Sequence, residues 1–234
     1  NFNLKFEKYV RNIKNSFTPH LEYCHNLSKS LFYIKKQKKN IFNQIRYLLL
    51  YPNFISFKLS NKYSTDLPYL SNHSFLWDFK KKKLNGFAKY LKIDKKLPKI
   101  NQRKISNKLG PLYLKNYYSK DTIVYSGKHD SSCCFYYHKK KIKTKFILIS
   151  TGTWIIIYNE NKKINKNKIE MDTHLSQSVQ NKVISVARYP GGHEFKYLNK
   201  KLEKKPYLNF KIIKKIFENK DLIIPSFYNG GPFK

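Results

Sequence analysis

Acidic residues are scarce in this chain. Fourteen aspartates and glutamates face 48 lysines and arginines over 234 residues, a formal net charge of +34. The direct implication is a polyanionic partner such as RNA or DNA. Arginine is scarcer still, with only Arg11, Arg46, Arg103 and Arg188, although it is the preferred residue for bidentate recognition of phosphates and bases. Alanine occurs only at Ala88 and Ala187. Abundant Lys, Asn, Ile, Tyr and Phe beside little Arg, Ala, Gly and Pro is the pattern of an A/T-rich coding sequence. Lysines then accumulate wherever solvent tolerates them, as in residues 35–39, 80–83, 139–141 and 161–168. We therefore expect non-specific polyanion binding at low salt and no specific nucleic-acid partner.

Cysteine is also rare. Cys24 and the adjacent pair Cys133 and Cys134 give neither a zinc spacing nor an even disulfide framework. This usage fits a reducing cytosol, and the adjacent pair reads as small buried fillers. No apolar run is long enough for a bilayer span, and the N-terminus shows no secretory pattern, so no membrane partner is expected. What is present, 41% hydrophobic and 16% aromatic residues, suffices for one or two cored domains. The chain starts at Asn1 and ends in the loop-like YNGGPFK. That reads as an internal piece of a longer product.

Along the chain, Leu27, Leu31 and Ile34 share one helical stripe, with Asn26 placed as a cap. YLLLY (47–51) reads as a strand, followed by a short helix from Pro52 that ends near Asn61. Residues 64–79 carry turn formers and a proline and read as loop or edge structure. A helical pattern resumes over 80–91. Residues 121–127 read as a strand ending at glycine, 129–138 as a helix start, and 210–217 as a helix. Strands alternate with helices throughout, which is an α/β layer architecture.

Residues 146–158, FILISTGTWIIIY, place a Thr-Gly-Thr island between two β-branched and aromatic runs. The runs read as two buried strands and the island as their turn. Glycine and two hydroxyls beside unpaired backbone N–H groups make an anion cradle; an ordinary hairpin turn has the same sequence. About fifteen residues upstream, VYSGKHDSSCCF sets Asp130 at the carboxyl edge of a strand, where open α/β sheets bind ligands. The same aspartate suits a plain helix cap. For Trp154 the residues point to a core position.

The order of motifs resembles that of the FGGY carbohydrate kinases, in the branch containing rhamnulokinase and L-fuculokinase-like enzymes. GKHDSS followed by ISTGTW is similar to that branch's G-x-H-D-[ST] and [ST]-G-T-W pair. LLYPNFISFKLSN, NHSFLWD, KLGPL, ARYPGGHEF and IIPSFYNGGPF resemble further family segments in the right order, so the likeness spans essentially the whole chain.

The resemblance implies an actin-like, ribonuclease H-like ATPase fold of two α/β domains. Residues 1–138 would be the sugar-binding domain without its first part, and 139–234 the first half of the nucleotide-binding domain. The implied activity is transfer of the γ-phosphoryl group of ATP, with Mg2+, to a hydroxyl of a rhamnulose-, fuculose- or xylulose-like sugar, in the cytoplasm. Asp130 takes the place of the catalytic base. Thr151, Gly152 and Thr153 would cradle the ATP phosphates, and His129 would contact the sugar or serve as a structural histidine. No protein metal ligand is assigned, and a homodimer is left open. The family's first phosphate hairpin and its adenosine segment are expected before Asn1 and beyond Lys234.

Departures are Cys133, Cys134 and Phe135 in place of small residues, Asn61 for glycine, Pro68 for threonine, and Lys128 for an apolar residue. Two rivals remain at this level: a lysine-rich nucleic-acid-binding protein and a catalytically dead kinase relic.

Overall fold

The computed structural model describes residues 6, 27–100, 104–106, 122–160, 173–201 and 209–219. The Asn26 cap, Cys24, the 161–168 lysine loop, KLGPL and IIPSFYNGGPF lie outside them.

Five helices fill the first part of the described chain. Helix α1 (Leu27–Gln37) buries Leu31 of its predicted stripe, with Leu27 and Ile34 half-buried against the core, and buries Phe32 beside it, and α2 (Lys39–Gln44) adds Phe42. Helix α3 (Tyr51–Ser60) has proline in its first turn and ends where Asn61 takes a left-handed φ of 55°. This explains why asparagine can stand in for glycine there, since it tolerates that region best among side-chain-bearing residues. The expected strand at 47–51 does not form. Proline's fixed φ is pre-organised for a helix start, and Tyr51 joins the helix instead.

The expected loop at 64–79 is largely replaced by α4 (Leu67–His73). Asp66 caps it by accepting from the Tyr69 N–H at 3.0 Å, and Pro68 sits in its first turn without loss. Strands β1 (Trp77–Asp78) and β2 (Lys83–Leu84) pair antiparallel, Trp77 opposite Leu84. The helix expected from residue 80 therefore starts late, as α5 (Gly86–Leu91), where Asn85 Oδ1 accepts from the N–H groups of Phe87 and Ala88 at 3.1 Å. Leu31, Phe32, Leu70, Leu76, Phe87, Leu91 and Ile93 form one apolar core. Each large side chain buried this way contributes about 1.5–3 kcal/mol.

Strands β3 (Lys104–Ser106) and β4 (Val124–Tyr125) make a second antiparallel pair leading to helix α6 (Asp130–Lys141). The main sheet holds β5 (Ile147–Ser150), β6 (Ile155–Asn159), β7 (Thr173–Gln177) and β8 (Val183–Tyr189) in the order β5-β6-β8-β7, all antiparallel. Phe135 of α6 packs with Tyr158, Ile184 and Val186 on one face of this sheet. On the opposite face Leu175 enters the first core, which joins α4 to β7. Helices α7 (Gly191–Lys201) and α8 (Phe210–Asn219) follow. Residue 138 falls inside α6.

Cys133 and Cys134 are exposed, not buried fillers. On α6 the buried positions are Ser132 and Phe135, so the cysteines project from the other side of the helix.

Candidate active site

Glycine is required at 127 for a packing reason. A Cβ there would lie 1.9 Å from the Pro52 carbonyl oxygen, so the strand leaving β4 passes directly over the first turn of α3. The next residue of that turn, Asn53, is fully buried and fixes the crossing. Its Nδ2 donates to Ser64 Oγ and Ser126 Oγ, both at 3.1 Å, and to the Gly127 carbonyl at 3.2 Å. Its Oδ1 accepts from the Asp66 N–H at 2.8 Å. Ser64 and Ser126 close the network at 2.9 Å. A fully satisfied buried polar network of this kind specifies a single arrangement, because each broken bond would strand a polar group away from water.

Asp66 extends the network to the helix start. Its Oδ2 accepts from the His129 N–H at 3.0 Å, and Lys128 Nζ lies 3.3 Å from its Oδ1. The departure at Lys128 thereby has a structural partner. The carboxylate is 0% exposed, which removes Asp66 from contact with any substrate. Asp130, one residue beyond His129, is the opposite case: its side chain is 94% exposed and its Oδ1 accepts from the Ser131 N–H at 2.6 Å. The structure thus separates a buried positioning aspartate from an exposed one, whose Oδ1 also lies 3.7 Å from His129 Nε2. A carboxylate projecting from a helix start with one oxygen oriented by the backbone can accept a proton from a bound hydroxyl.

His129 is held tightly. Its Nδ1 pairs with Ser132 Oγ at 2.9 Å and its Nε2 with His73 Nε2 at 3.1 Å, so of the two facing ring nitrogens one donates and the other accepts. Burial pushes its pKa down, partly countered by Asp130 and Asp66. With both ring nitrogens engaged inside the protein, the ring orients the segment carrying Asp130.

The second element singled out by the sequence is the β5–β6 hairpin. Ser150 pairs with Ile156, leaving residues 151–154 as the connection, with Thr151, Gly152 and Thr153 all exposed. Gly152 does not occupy the left-handed region, and a Cβ there would meet only the Trp154 carbonyl at 3.7 Å. The packing therefore places no steric demand for glycine at 152; the close approach lies on the facing segment. It is visible at Gly192, whose N–H donates to the Thr153 carbonyl at 3.1 Å and whose Cβ would lie 2.4 Å from the Gly152 oxygen. The start of α7 is docked directly on the backbone of the turn. Lower on the hairpin, Tyr158 hydrogen-bonds with Ser131; burial pushes its pKa up to about 12 despite that bond. Ser131 is the residue after Asp130, so the helix that starts at Asp130 is tied to the same strand that leads away from the turn. Tyr158 and Ile156 are two residues apart, about 7 Å of strand.

Trp154 is not a core residue. It is half-buried, with the Arg188 guanidinium 5.3 Å from its ring centroid and His193 edge-on at 6.0 Å. A tryptophan read from sequence alone looks like core; here β8 and α7 offer it a cation and an imidazole instead. Asn53, Asp66, Tyr158, Arg188, His174 and Gly192 were not assigned roles from the sequence. Only the Gly-Gly after a strand in ARYPGGHEF carried a readable signal, a close backbone approach.

Residues 143–234 match the family model described as "Carbohydrate kinase FGGY, C-terminal domain". No curated protein matches the chain in sequence. Among solved structures, a carbohydrate kinase from Novosphingobium aromaticivorans superposes with a TM-score of 0.79 at 19% identity, covering 97% of this chain and 54% of that one. A xylulose kinase from Lactobacillus acidophilus gives 0.64 at 20% identity, with 83% and 40% covered. Glycerol kinase from Plasmodium falciparum, solved with ADP, gives 0.62 at 13% identity, with 92% and 44% covered. The chain spans about half the length of these structures or less. The branch with rhamnulokinase is not singled out by any of these matches. The chain has the actin-like α/β fold of the FGGY sugar kinases, and its residues 143–234 match the C-terminal domain of that family.

Proposed function

We propose that the protein carrying this chain phosphorylates a sugar hydroxyl with ATP, the acceptor being a rhamnulose-, fuculose- or xylulose-like ketose. The observation that carries the reading is the contrast between Asp66, buried and spent on structure, and Asp130, exposed at a helix start that the same network holds still. In the proposed step the sugar hydroxyl oxygen attacks the γ-phosphorus as the bond to the β,γ-bridging oxygen breaks. Asp130 takes the hydroxyl proton and ADP leaves. Phosphoryl transfer asks a protein mainly for positioning and charge stabilisation, which backbone N–H groups and hydroxyls at residues 151–153 supply.

Magnesium fits this site only as a companion of the nucleotide. Among the described residues no group of three His, Cys, Asp or Glu side chains could hold a metal ion. Mg2+ with ATP is ordinarily bound by phosphates, water and one or two carboxylates, and Asp130 is the exposed carboxylate here. When bound, the ion would neutralise charge on the phosphate oxygens. No described helix is long and apolar enough to cross a membrane, and a small-molecule sugar in the cytoplasm is the partner this reading requires. The test is ADP release by the full-length protein carrying this chain, with ATP, magnesium and a panel of deoxy-ketohexoses and pentuloses. Sugar-dependent ADP formation supports the reading; ATP turnover indifferent to every sugar rejects it.

A further inference from the structure

Asp66 Oδ2 accepts from two N–H groups at 3.0 Å each, that of Tyr69 in the first turn of α4 and that of His129 at the start of α6. One buried carboxylate therefore clamps both helices, and α4 ends at His73. Across 56 positions of sequence His73 and His129 come face to face, their ring centroids 5.0 Å apart and inclined by 58°. Tyr69 braces both rings, 4.8 Å from that of His73 and edge-on to that of His129 at 5.8 Å.

His129 Nε2 faces His73 Nε2 at 3.1 Å, within hydrogen-bond range, and Asp130 Oδ1 at 3.7 Å, outside it. An imidazole nitrogen offers either one N–H or one lone pair in the ring plane, so Nε2 serves one partner at a time. If His129 carries the hydrogen there, His73 accepts it. If His73 carries it, His129 has none to give on that side and turns its own N–H, on Nδ1, toward Ser132 Oγ at 2.9 Å. In both arrangements Asp130 receives no hydrogen bond from the neighbouring ring. That matters because a hydrogen bond donated to a carboxylate stabilises its charged form and weakens it as a proton acceptor. Without His73 the Nε2 of His129, whose side chain is 11% exposed, would be stranded, and Asp130 Oδ1 is an acceptor that a small tilt of the ring would reach.

We propose that His73 is a positioning residue for phosphoryl transfer: it occupies His129 Nε2, so that the imidazole does not donate to Asp130 and the carboxylate stays available to accept the sugar proton. The proposal rests on the sugar-kinase reading and adds to it a residue that acts through another. Histidine suits the place for a chemical reason. Aspartate or glutamate there would set a second negative charge beside Asp130, and lysine or arginine would bring several N–H donors toward it. One imidazole nitrogen aimed at His129 does neither.

The test uses His73→Leu, His73→Asn and His73→Gln in the full-length protein. Leucine cannot bond to His129, asparagine is too short to reach the Nε2 position, and the longer amide of glutamine takes it over. With ATP, magnesium and the sugar that supports turnover, His73→Leu and His73→Asn should lower kcat by about three- to tenfold, with KM for ATP and sugar within about twofold of the wild type. His73→Gln should recover most of the loss. Crystal structures give a readout independent of turnover: His129 Nε2 should close from 3.7 Å to hydrogen-bond distance of Asp130 Oδ1 in His73→Leu and His73→Asn, and stay apart in His73→Gln. Circular dichroism establishes that each variant is folded, and His73→Asn carries the test if His73→Leu is not. Wild-type kcat in the folded leucine and asparagine variants overturns the proposal, as does an equal loss in all three or an unchanged separation of His129 from Asp130. A wild type without sugar-dependent ADP release rejects the kinase reading, and the separation in the variants then decides by itself whether His73 holds His129 off Asp130.

Discussion

Lowering the pH should loosen the fold through His174 by an amount the structure fixes. The imidazole is buried in β7 with a pKa near 3, against an ordinary value of about 6.5 in the unfolded chain. Its stabilising contribution is therefore complete above about pH 6.5 and is lost as the pH falls toward 3, because only the unfolded state takes up the proton in that window. Between about pH 7.5 and pH 5 the unfolded state gains close to one proton at this residue and the native state almost none. At about 1.4 kcal/mol per pH unit below 6.5, the loss is about 2 kcal/mol. It is insensitive to the native value as long as that stays below about 4. The assay is urea unfolding at both pH values for the wild type and for His174→Leu, which cannot titrate. His129, also shifted down by burial, and the carboxylates titrate in both proteins and cancel in the comparison. The wild type should lose about 2 kcal/mol more than the variant. Equal losses in the two proteins would refute the assignment of a neutral, buried His174 beside Arg188.

Three further outcomes follow from packing and charge. Gly192→Ala would place a methyl 2.4 Å from the Gly152 oxygen and 2.7 Å from Thr153 Cα; we expect about 1–3 kcal/mol of destabilisation in thermal unfolding, because backbone rather than a flexible side chain must give way. Asn53→Ala removes four buried hydrogen bonds around the Asp130 segment, and chemical denaturation should show a loss of about 3 kcal/mol. RNA should bind without sequence preference and with a steep loss of affinity as salt rises; a tight, sequence-selective complex at physiological salt would favour a dedicated nucleic-acid surface.

The local frame around Asp130 and the hairpin was legible because its signals are local. A strand, a glycine and a helix start around Asp130 are read from neighbours in sequence, and so are the two strands and the turn of the Thr-Gly-Thr hairpin. The support of that frame was not legible. Asn53 and Ser126 meet across 73 positions of sequence, and Asp66 and His129 across 63. No periodicity reports such pairs. Of the two misread stretches, 64–79 looks like loop because proline weighs as a breaker, although it occupies the first turn of a helix, its tolerated place. The other, 47–51, looks like a strand because an apolar run alone does not fix the element, although Tyr51 joins the helix that Pro52 helps to start. Trp154 and the cysteines were misplaced for a shared reason: composition predicts average burial, whereas the side of the helix or the tip of the hairpin decides the individual residue.

The most direct test of the account compares two substitutions in the full-length protein under ATP, magnesium and the sugar that supports turnover. Asp130→Asn removes the proton acceptor and should cut kcat by about 10² to 10⁴ while substrate binding changes far less. Thr153→Ala removes one hydroxyl and leaves the backbone of the turn, so a milder loss, expressed partly in the apparent affinity for ATP, is predicted. Equal and small effects from both would contradict the account, since neither residue would then act at the phosphoryl group.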